Sequence, residues 1–207
     1  MATRIVIPQA VQLIRRTEVL KIDPDGICRP YQGKADKKGV LTIGIGHVIG
    51  CGGEWMHKGI TREQAEDLFA KDIARHSEFI QADVNAPMDD WEYGAFASFA
   101  FNLGPRIFAT ASLAKQFREG MKELAICRMH EFSNSDGQYR DGLFYRRLTE
   151  ITLALMHKLV KKPDNCTEAR KLMNDLLDAG HRPIRAAMDF FERKHRKDLC
   201  PACKQRK

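Results

Sequence analysis

The chain has no apolar run approaching the roughly 20 residues that a membrane-spanning helix needs. Its start, MATRIVIPQAVQLIRRTE, does not have the layout of a signal peptide, because Gln9, Gln12, Arg15 and Arg16 break the apolar residues. These two absences set the expectation of a protein that begins its life in a cytoplasm. No internal repeat and no low-complexity tract appears, which excludes solenoids and arrays. There are six cysteines: Cys28, Cys51, Cys127, Cys166, Cys200 and Cys203. Without an export signal, free thiols are expected rather than a disulfide framework.

What is present is a chain of 207 residues, 43% hydrophobic, long enough for one core plus an appendage. Its net charge is +7. From His157 to Lys207 there are 14 Lys+Arg against 7 Asp+Glu, a surplus equal to that of the whole chain. The first 156 residues are therefore neutral overall. A basic tail favours polyanions such as nucleic acid, anionic lipid or an acidic cell-wall polymer, and charge alone does not choose among them.

Residues Ala10 to Glu18 read as a short helix with Val11 and Ile14 inward, broken by Pro24 and Gly26. Cys28 to Ile45 suits short strands and tight turns. Thr61 with Gln64 three positions on has the pattern of a capping box, and Ala65, Leu68, Phe69 and Ile73 follow at helical spacing. WEYGAFASFAFNLG (91–104) is apolar on nearly every side, which predicts a central buried helix ended by Gly104-Pro105. Leu113 to Phe117, Leu124 to Phe132 and Arg146 to Met156 read as further helices, and SNSDGQ (133–138) as a loop. The expected fold class is α+β: a small β-rich lobe, then a larger helical lobe, over residues 1–156. A basic C-terminal extension follows over 157–207, with helical pieces at Glu168 to Leu177 and Ile184 to His195. A cleft between the lobes is the natural ligand site.

The stretch ADKKGVLTIGIGH (35–47) places an acid, a hydroxyl and an imidazole around a turn built on Gly39 with a glycine-rich exit at Gly44 and Gly46. A pair of carboxylates across a cleft is standard equipment for cutting a glycosidic bond, one protonated and one ionised. Glu18 sits at a helix end beside Thr17, Val19 and Leu20; partial burial of a carboxyl favours its neutral form, which suits a proton donor. Asp36 lies in a polar turn and suits the ionised partner, with the Thr42 hydroxyl able to hold a water against it. Gly44 and Gly46 would keep bulk from the strand edge where a sugar chain lies. The plain alternatives are a solvated Glu at a helix end, a turn-forming Asp, and a His47 that pins the fold by a hydrogen bond.

Three ordered motifs carry a resemblance. The first is Asp36-Lys-Lys-Gly39-Val-Leu-Thr42-Ile43-Gly44-Ile45-Gly46-His47. The second is Phe101-Asn102-Leu103-Gly104 with Phe108 and Ser112-Leu113. The third is Gly142-Leu143, Arg146-Arg147 and Glu150. Together they resemble the phage-type lysozymes, the endolysin muramidases of glycoside hydrolase family 24, over residues from about 10 to 156. The resemblance implies a lysozyme-like fold and hydrolysis of the β-1,4 bond between N-acetylmuramic acid and N-acetylglucosamine in peptidoglycan. It implies catalysis by Glu18, Asp36 and Thr42 that needs no metal or organic cofactor and proceeds with inversion at the anomeric carbon. It makes Val48, Phe101 and Ser112 candidates to line the sugar groove, Phe101 having plain core packing as its alternative. Arg146 and Arg147 read as structural, pairing with acids or capping the helical lobe. Seventeen residues separate Glu18 from Asp36, more than in the usual pattern. LIRRTE (13–18) and Tyr31 anchor the alignment on Glu18; the rival acid is Asp25, whose Asp25-Gly26 step resembles the family's Glu-Gly. An Asp reaches less far and is intrinsically the stronger acid, hence the poorer donor.

The expected role is that of an endolysin, monomeric, held in the host cytoplasm until a separate protein permeabilises the membrane and lets it reach the wall. A virion-associated lysozyme, or an inactive lysozyme-fold binding module with a polyanion-binding tail, are the alternatives. In the tail, Cys200-Pro-Ala-Cys203 with His195 and Cys166 could form a zinc site, with free thiols as the plainer reading. Ile184 to His195 could lie on an anionic membrane or cell-wall polymer, or pack on the catalytic domain.

Overall fold

The computed structural model describes residues 4–32, 41–49, 58–135 and 137–160. Asp36, Cys51 and the tail residues 161–207 lie outside them, and with these the tail helices and the zinc reading.

The first helix, α1 (Pro8–Thr17), starts on a proline, which fits the first turn because its missing N–H is not needed there. Ala10, Leu13 and Ile14 are buried, and Arg15 and Arg16 sit in the last turn, where the helix dipole favours cations. Thr17 turns its hydroxyl back to donate to the Ile14 carbonyl at 2.9 Å. The chain leaves the helix at Glu18, in extended geometry (φ −103°, ψ 121°).

The small lobe is built on a hairpin of β1 (Leu41–Ile43) and β2 (His47–Ile49), antiparallel with Thr42 opposite Val48 and Ile43 opposite His47. Gly44 and Gly46 in its turn have φ +60° and +75°, a region closed to most side chains. Isolated bridges pair Cys28 with Ile60 and Tyr31 with Thr42. Cys28, Ile43, Ile60 and Ala65 form its own small core.

From there α2 (Arg62–Ser77) runs to the helical lobe. Its capping box is formed on both sides, Thr61 accepting from the Gln64 backbone and Gln64 from that of Thr61. The short α3 (Ile80–Val84) follows, ending at Asn85 in a left-handed conformation. The central helix α4 (Asp90–Leu103) has a second capping box, Asp89 with Glu92, and every residue from Glu92 to Phe101 is buried. Gly94 lies where α1 crosses: a Cβ there would stand 2.9 Å from Ile7 and 3.0 Å from Ala10. Around α4 pack α5 (Ile107–Thr110), α6 (Ser112–Arg118), α7 (Lys122–Cys127) and the long α8 (Asp141–Val160). Phe96 and Phe108 stack at 4.6 Å between ring centroids, and Phe99 meets Phe132 edge-on at 5.1 Å. Each such buried ring contributes roughly 1.5–3 kcal/mol.

The expected α+β architecture is thus observed, with four local differences. The helix expected over 124–132 is two pieces, α7 and a 3-10 turn over Arg128–Glu131. The last helix begins earlier than Arg146, at Asp141. The short α3 and α5 carry too few residues for a period to show in the sequence. The segment read as a loop over 133–138 contains a small hairpin, β3 (Asn134–Ser135) and β4 (Gln138–Tyr139), pairing Ser135 with Gln138; an Asp-Gly dipeptide between paired strands is a strong hairpin signal. No described helix is long and apolar enough to cross a membrane.

Candidate active site

Glu18 stands where three elements meet: the end of α1, the turn between β1 and β2, and the start of α8. Its Oε1 accepts a hydrogen bond of 2.7 Å from Arg146 Nη1, across 128 residues of sequence. The Glu18 side chain is 22% exposed and that of Arg146 only 6%. The acid therefore has one face toward solvent and one toward a buried cation.

Arg146 is itself held. Its Nε donates to Glu150 Oε1 and its Nη2 to the Ser98 carbonyl, both at 3.3 Å. The Ser98 hydroxyl donates to the same Glu150 oxygen at 2.7 Å. One turn of α8 places residues 146 and 150 on one face, and that face lies against α4. Arg147 completes the group: it donates to Asn102 Oδ1 at 2.8 Å, and its guanidinium lies 4.7 Å from the centre of the Phe99 ring. Two guanidiniums thus face two carboxylates, Glu18 and the fully buried Glu150. Burial pushes the Glu150 carboxyl up and brings Arg147 down to about 10, in each case against the pull of the opposite charge. Arg147 Nε is 3.0 Å from Glu150 Oε2, an ion-pair contact without hydrogen-bond alignment. Such a cluster holds geometry better than it adds stability, because desolvation offsets much of the attraction.

Thr42 is buried and exchanges both backbone hydrogen bonds with Tyr31, each 2.8 Å. The Tyr31 hydroxyl donates to the Val19 carbonyl at 3.3 Å. Tyr31 thereby ties the strand that carries Thr42 to the residue after Glu18. His47 Nδ1 lies 2.8 Å from Asp72 Oδ2, pinning β2 to α2; this is the fold-pinning role expected of it.

Of the groove candidates, Val48 is 60% exposed on β2. Ser112 is exposed at the start of α6. Phe101 is buried, its ring 5.8 Å from Phe69 and 5.0 Å from His76. Asp25 lies in a different setting. It is exposed, and Arg29 binds it with two hydrogen bonds of 3.0 and 2.6 Å. These, with the Ile27 backbone N–H, hold its carboxyl down at about 2, where it is ionised at any working pH.

The two turn glycines do not open onto a bare strand edge, as the sequence suggested. A Cβ on Gly44 would meet Ala65 at 3.1 Å, and one on Gly46 would meet Glu18 Oε2 at 3.0 Å. Nor does the groove of about 450 Å³ between the N-terminal segment, α1 and α2 contain the acid: it is lined by Ile5, Val6, Val11, Phe69 and Ile73 among others. Sequence reasoning foresaw that Arg146 pairs with an acid, but not which one, because a contact across 128 residues leaves no mark in local spacing. Among the described residues no cluster of three metal-ligating side chains occurs.

The phage lysozyme family model matches residues 28–150. An endolysin of Acyrthosiphon pisum secondary endosymbiont phage 1 is 32% identical over 145 residues, covering 68% of this chain and 91% of that protein. The endolysin of Salmonella phage P22 is 31% identical over 107 residues, 47% of this chain and 73% of its own. Among solved structures, the active form of P1 phage endolysin Lyz superimposes with a TM-score of 0.60 at 25% identity, covering 77% of this chain and 90% of that one. The muramidase domain of SpmX from Asticaccaulis excentricus gives 0.59 at 25% identity, with 73% and 98% covered. The family match takes in the Asp36–His47 motif and the Arg146–Glu150 cluster, and on this evidence the chain belongs to the phage lysozyme family.

Proposed function

We propose that the protein is an endolysin in which Glu18 is the general acid, and Asp36 with Thr42 places and activates water. Family membership already makes it a lysozyme, a glycoside hydrolase whose substrate is peptidoglycan. The proposed bond is the β-1,4 link from N-acetylmuramic acid to N-acetylglucosamine. The observation that carries the reading is the Glu18 carboxyl, fixed by a buried Arg146 yet open on one side, while Asp25 is bound up by Arg29.

An arginine does not give up its proton, so Glu18 Oε1 acts only as an acceptor and a proton on Glu18 sits on Oε2. That proton passes to the glycosidic oxygen as its bond to the anomeric carbon breaks. A water held by Thr42 and Asp36 forms the new bond from the opposite face and gives its proton to Asp36. One water is consumed, and solvent returns the two carboxyls to their starting states. Inversion by this route needs a carboxyl separation of about 6.5–9.5 Å, room for the water.

In this reading residues 1–156 are the catalytic domain and 157–207 a basic extension that helps a monomeric enzyme reach an anionic membrane or cell-wall polymer. The enzyme waits in the host cytoplasm, reaches the wall once another protein permeabilises the membrane, and so releases phage. Digestion of purified sacculi tests it. The expected products end in reducing N-acetylmuramic acid, appear first as the inverted anomer by NMR, and are lost in Asp36→Asn. Reducing N-acetylglucosamine ends, or the retained anomer, would overturn the bond or the stereochemistry. Wild type releasing no fragments would favour a binding module instead.

A further inference from the structure

The turn between β1 and β2 touches the acid directly, and the reading below rests on Glu18 being that acid. A Cβ built on Gly46 would stand 3.0 Å from Glu18 Oε2 and 3.2 Å from both Cδ and Cγ. The end of the Glu18 side chain therefore crowds the space that a side chain at residue 46 would need. Arg146 holds the carboxyl on its other oxygen. We propose that Gly46 is a positioning residue for the general acid: its missing side chain leaves the space in which the carboxyl lies, with Oε1 on Arg146 and Oε2 presented to the substrate.

Neither partner can yield to a methyl group at little cost. The turn is fixed on both sides of Gly46, by Ile45, only 1% exposed in the main core, and by His47 on Asp72. Glu18 cannot swing away without giving up the 2.7 Å bond from Arg146, and Arg146 cannot follow because Glu150 and Ser98 hold it. An added Cβ therefore acts on the acid. Gly46 also has φ +75°, so any L residue adds backbone strain, and loss of stability alone would prove nothing.

Gly44 supplies the control. It lies in the same turn at φ +60°, but its Cβ would meet Ala65 and Ile60 rather than Glu18. Gly46→Ala and Gly44→Ala should therefore both lower the melting temperature. On solubilised peptidoglycan below that temperature, Gly46→Ala should lose about a hundredfold in kcat, the scale of an ångström-sized misplacement of a reacting group. Its KM should stay within about twofold, since the sugar contacts are untouched, and its pH–rate profile should shift on the limb set by the acid. Gly44→Ala should keep the wild-type kcat and profile. Gly46→Asn, whose side chain tolerates positive φ, should repeat the kcat loss with a smaller stability cost. Wild-type kcat and pH profile in Gly46→Ala, or an equal kcat loss in Gly44→Ala, would overturn the proposal. Glu18→Gln is assayed beside them. Full activity in Glu18→Gln would sink the assignment of the acid and this inference with it, whereas an inactive Glu18→Gln beside a fully active Gly46→Ala sinks the inference alone.

Discussion

Two carboxylates seven residues apart in sequence, Glu18 and Asp25, each pair with an arginine, and the two pairs differ in span and in burial. Asp25 and Arg29 are four positions apart, in one loop, and both are about half exposed. Glu18 and Arg146 are 128 positions apart and join the end of α1 to the start of α8, with the arginine buried. The first pair is local geometry satisfied by solvent-exposed charges, and pairs of that kind contribute little to stability. The second exists only because the helical lobe is folded, and it holds a carboxyl at a fixed place with one side open. A reaction needs the second kind of carboxyl: fixed, and still able to exchange a proton.

The largest expected effect separates the pairs most sharply. Glu18→Gln keeps the shape and leaves an amide oxygen for Arg146, so the fold should persist while turbidity loss of peptidoglycan slows by about 10²–10⁴-fold, the usual contribution of a general acid. Lysis at the wild-type rate would break the comparison outright. Next comes Glu150→Gln. It removes the carboxylate that faces both buried guanidiniums, and unpairing charge of this kind costs about 3–5 kcal/mol. Urea unfolding followed by circular dichroism reads the loss. A change within measurement error would mean that the two arginines find other partners and that Arg146 is less firmly held than its hydrogen bonds imply.

The sequence made some of this legible and not the rest, for identifiable reasons. The capping boxes at Thr61 and Asp89 act within three residues, and the first was readable from spacing. The buried run from Glu92 to Phe101 was readable because a helix apolar all round has nowhere to go but the centre. Glycines at 44 and 46 suggested a bare strand edge, not a turn in which one abuts Ala65 and the other Glu18. Arg146 read as pairing with acids or capping the helical lobe; one partner, Glu150, is four residues on, but the other, Glu18, lies at the far end of the domain. Local chemistry is written in neighbouring letters. The site is assembled from α1, the hairpin and α8, and only the motif's likeness to a family hinted that they meet.

Smaller effects sharpen the same contrast. Asp72→Ala removes the acceptor of the His47 pin, which lies between a buried carboxylate and a half-buried ring. A loss of about 1–3 kcal/mol is expected from leaving a buried group poorly satisfied. Because His47 flanks Gly46, lysis should also slow, by less than in Glu18→Gln. Unchanged stability would show that the hairpin is held by its small core alone. Cys127 offers a probe without mutation. Burial pushes its thiol up to about 11, so the reactive thiolate is scarce at pH 8. Iodoacetamide at that pH, mapped by mass spectrometry, should leave Cys127 unlabelled in the native protein and labelled after denaturation. Prompt native labelling would mean that the helical lobe opens far more readily than its packing implies.

The smallest effect is the one the comparison most depends on. Asp25→Asn deletes a carboxylate whose ionised form Arg29 already secures, at about 2. A group ionised across the whole working range has no proton to donate at any pH where the enzyme would act. Its partner Arg29 keeps Asp23, 2.7 Å away, so the loop retains an ion pair after the change. Lysis should stay within about twofold of wild type, and the melting temperature should barely move, as for most exposed substitutions. The depressed value also fixes the sign of any pH effect: whatever Asp25 adds to stability is present above the ordinary carboxylate range and fades only as pH falls toward 2. An Asp25→Asn protein that folds normally yet lyses nothing would reverse the assignment, making the exposed, local pair the chemical one and leaving Glu18 and Arg146 as the bolt between α1 and α8.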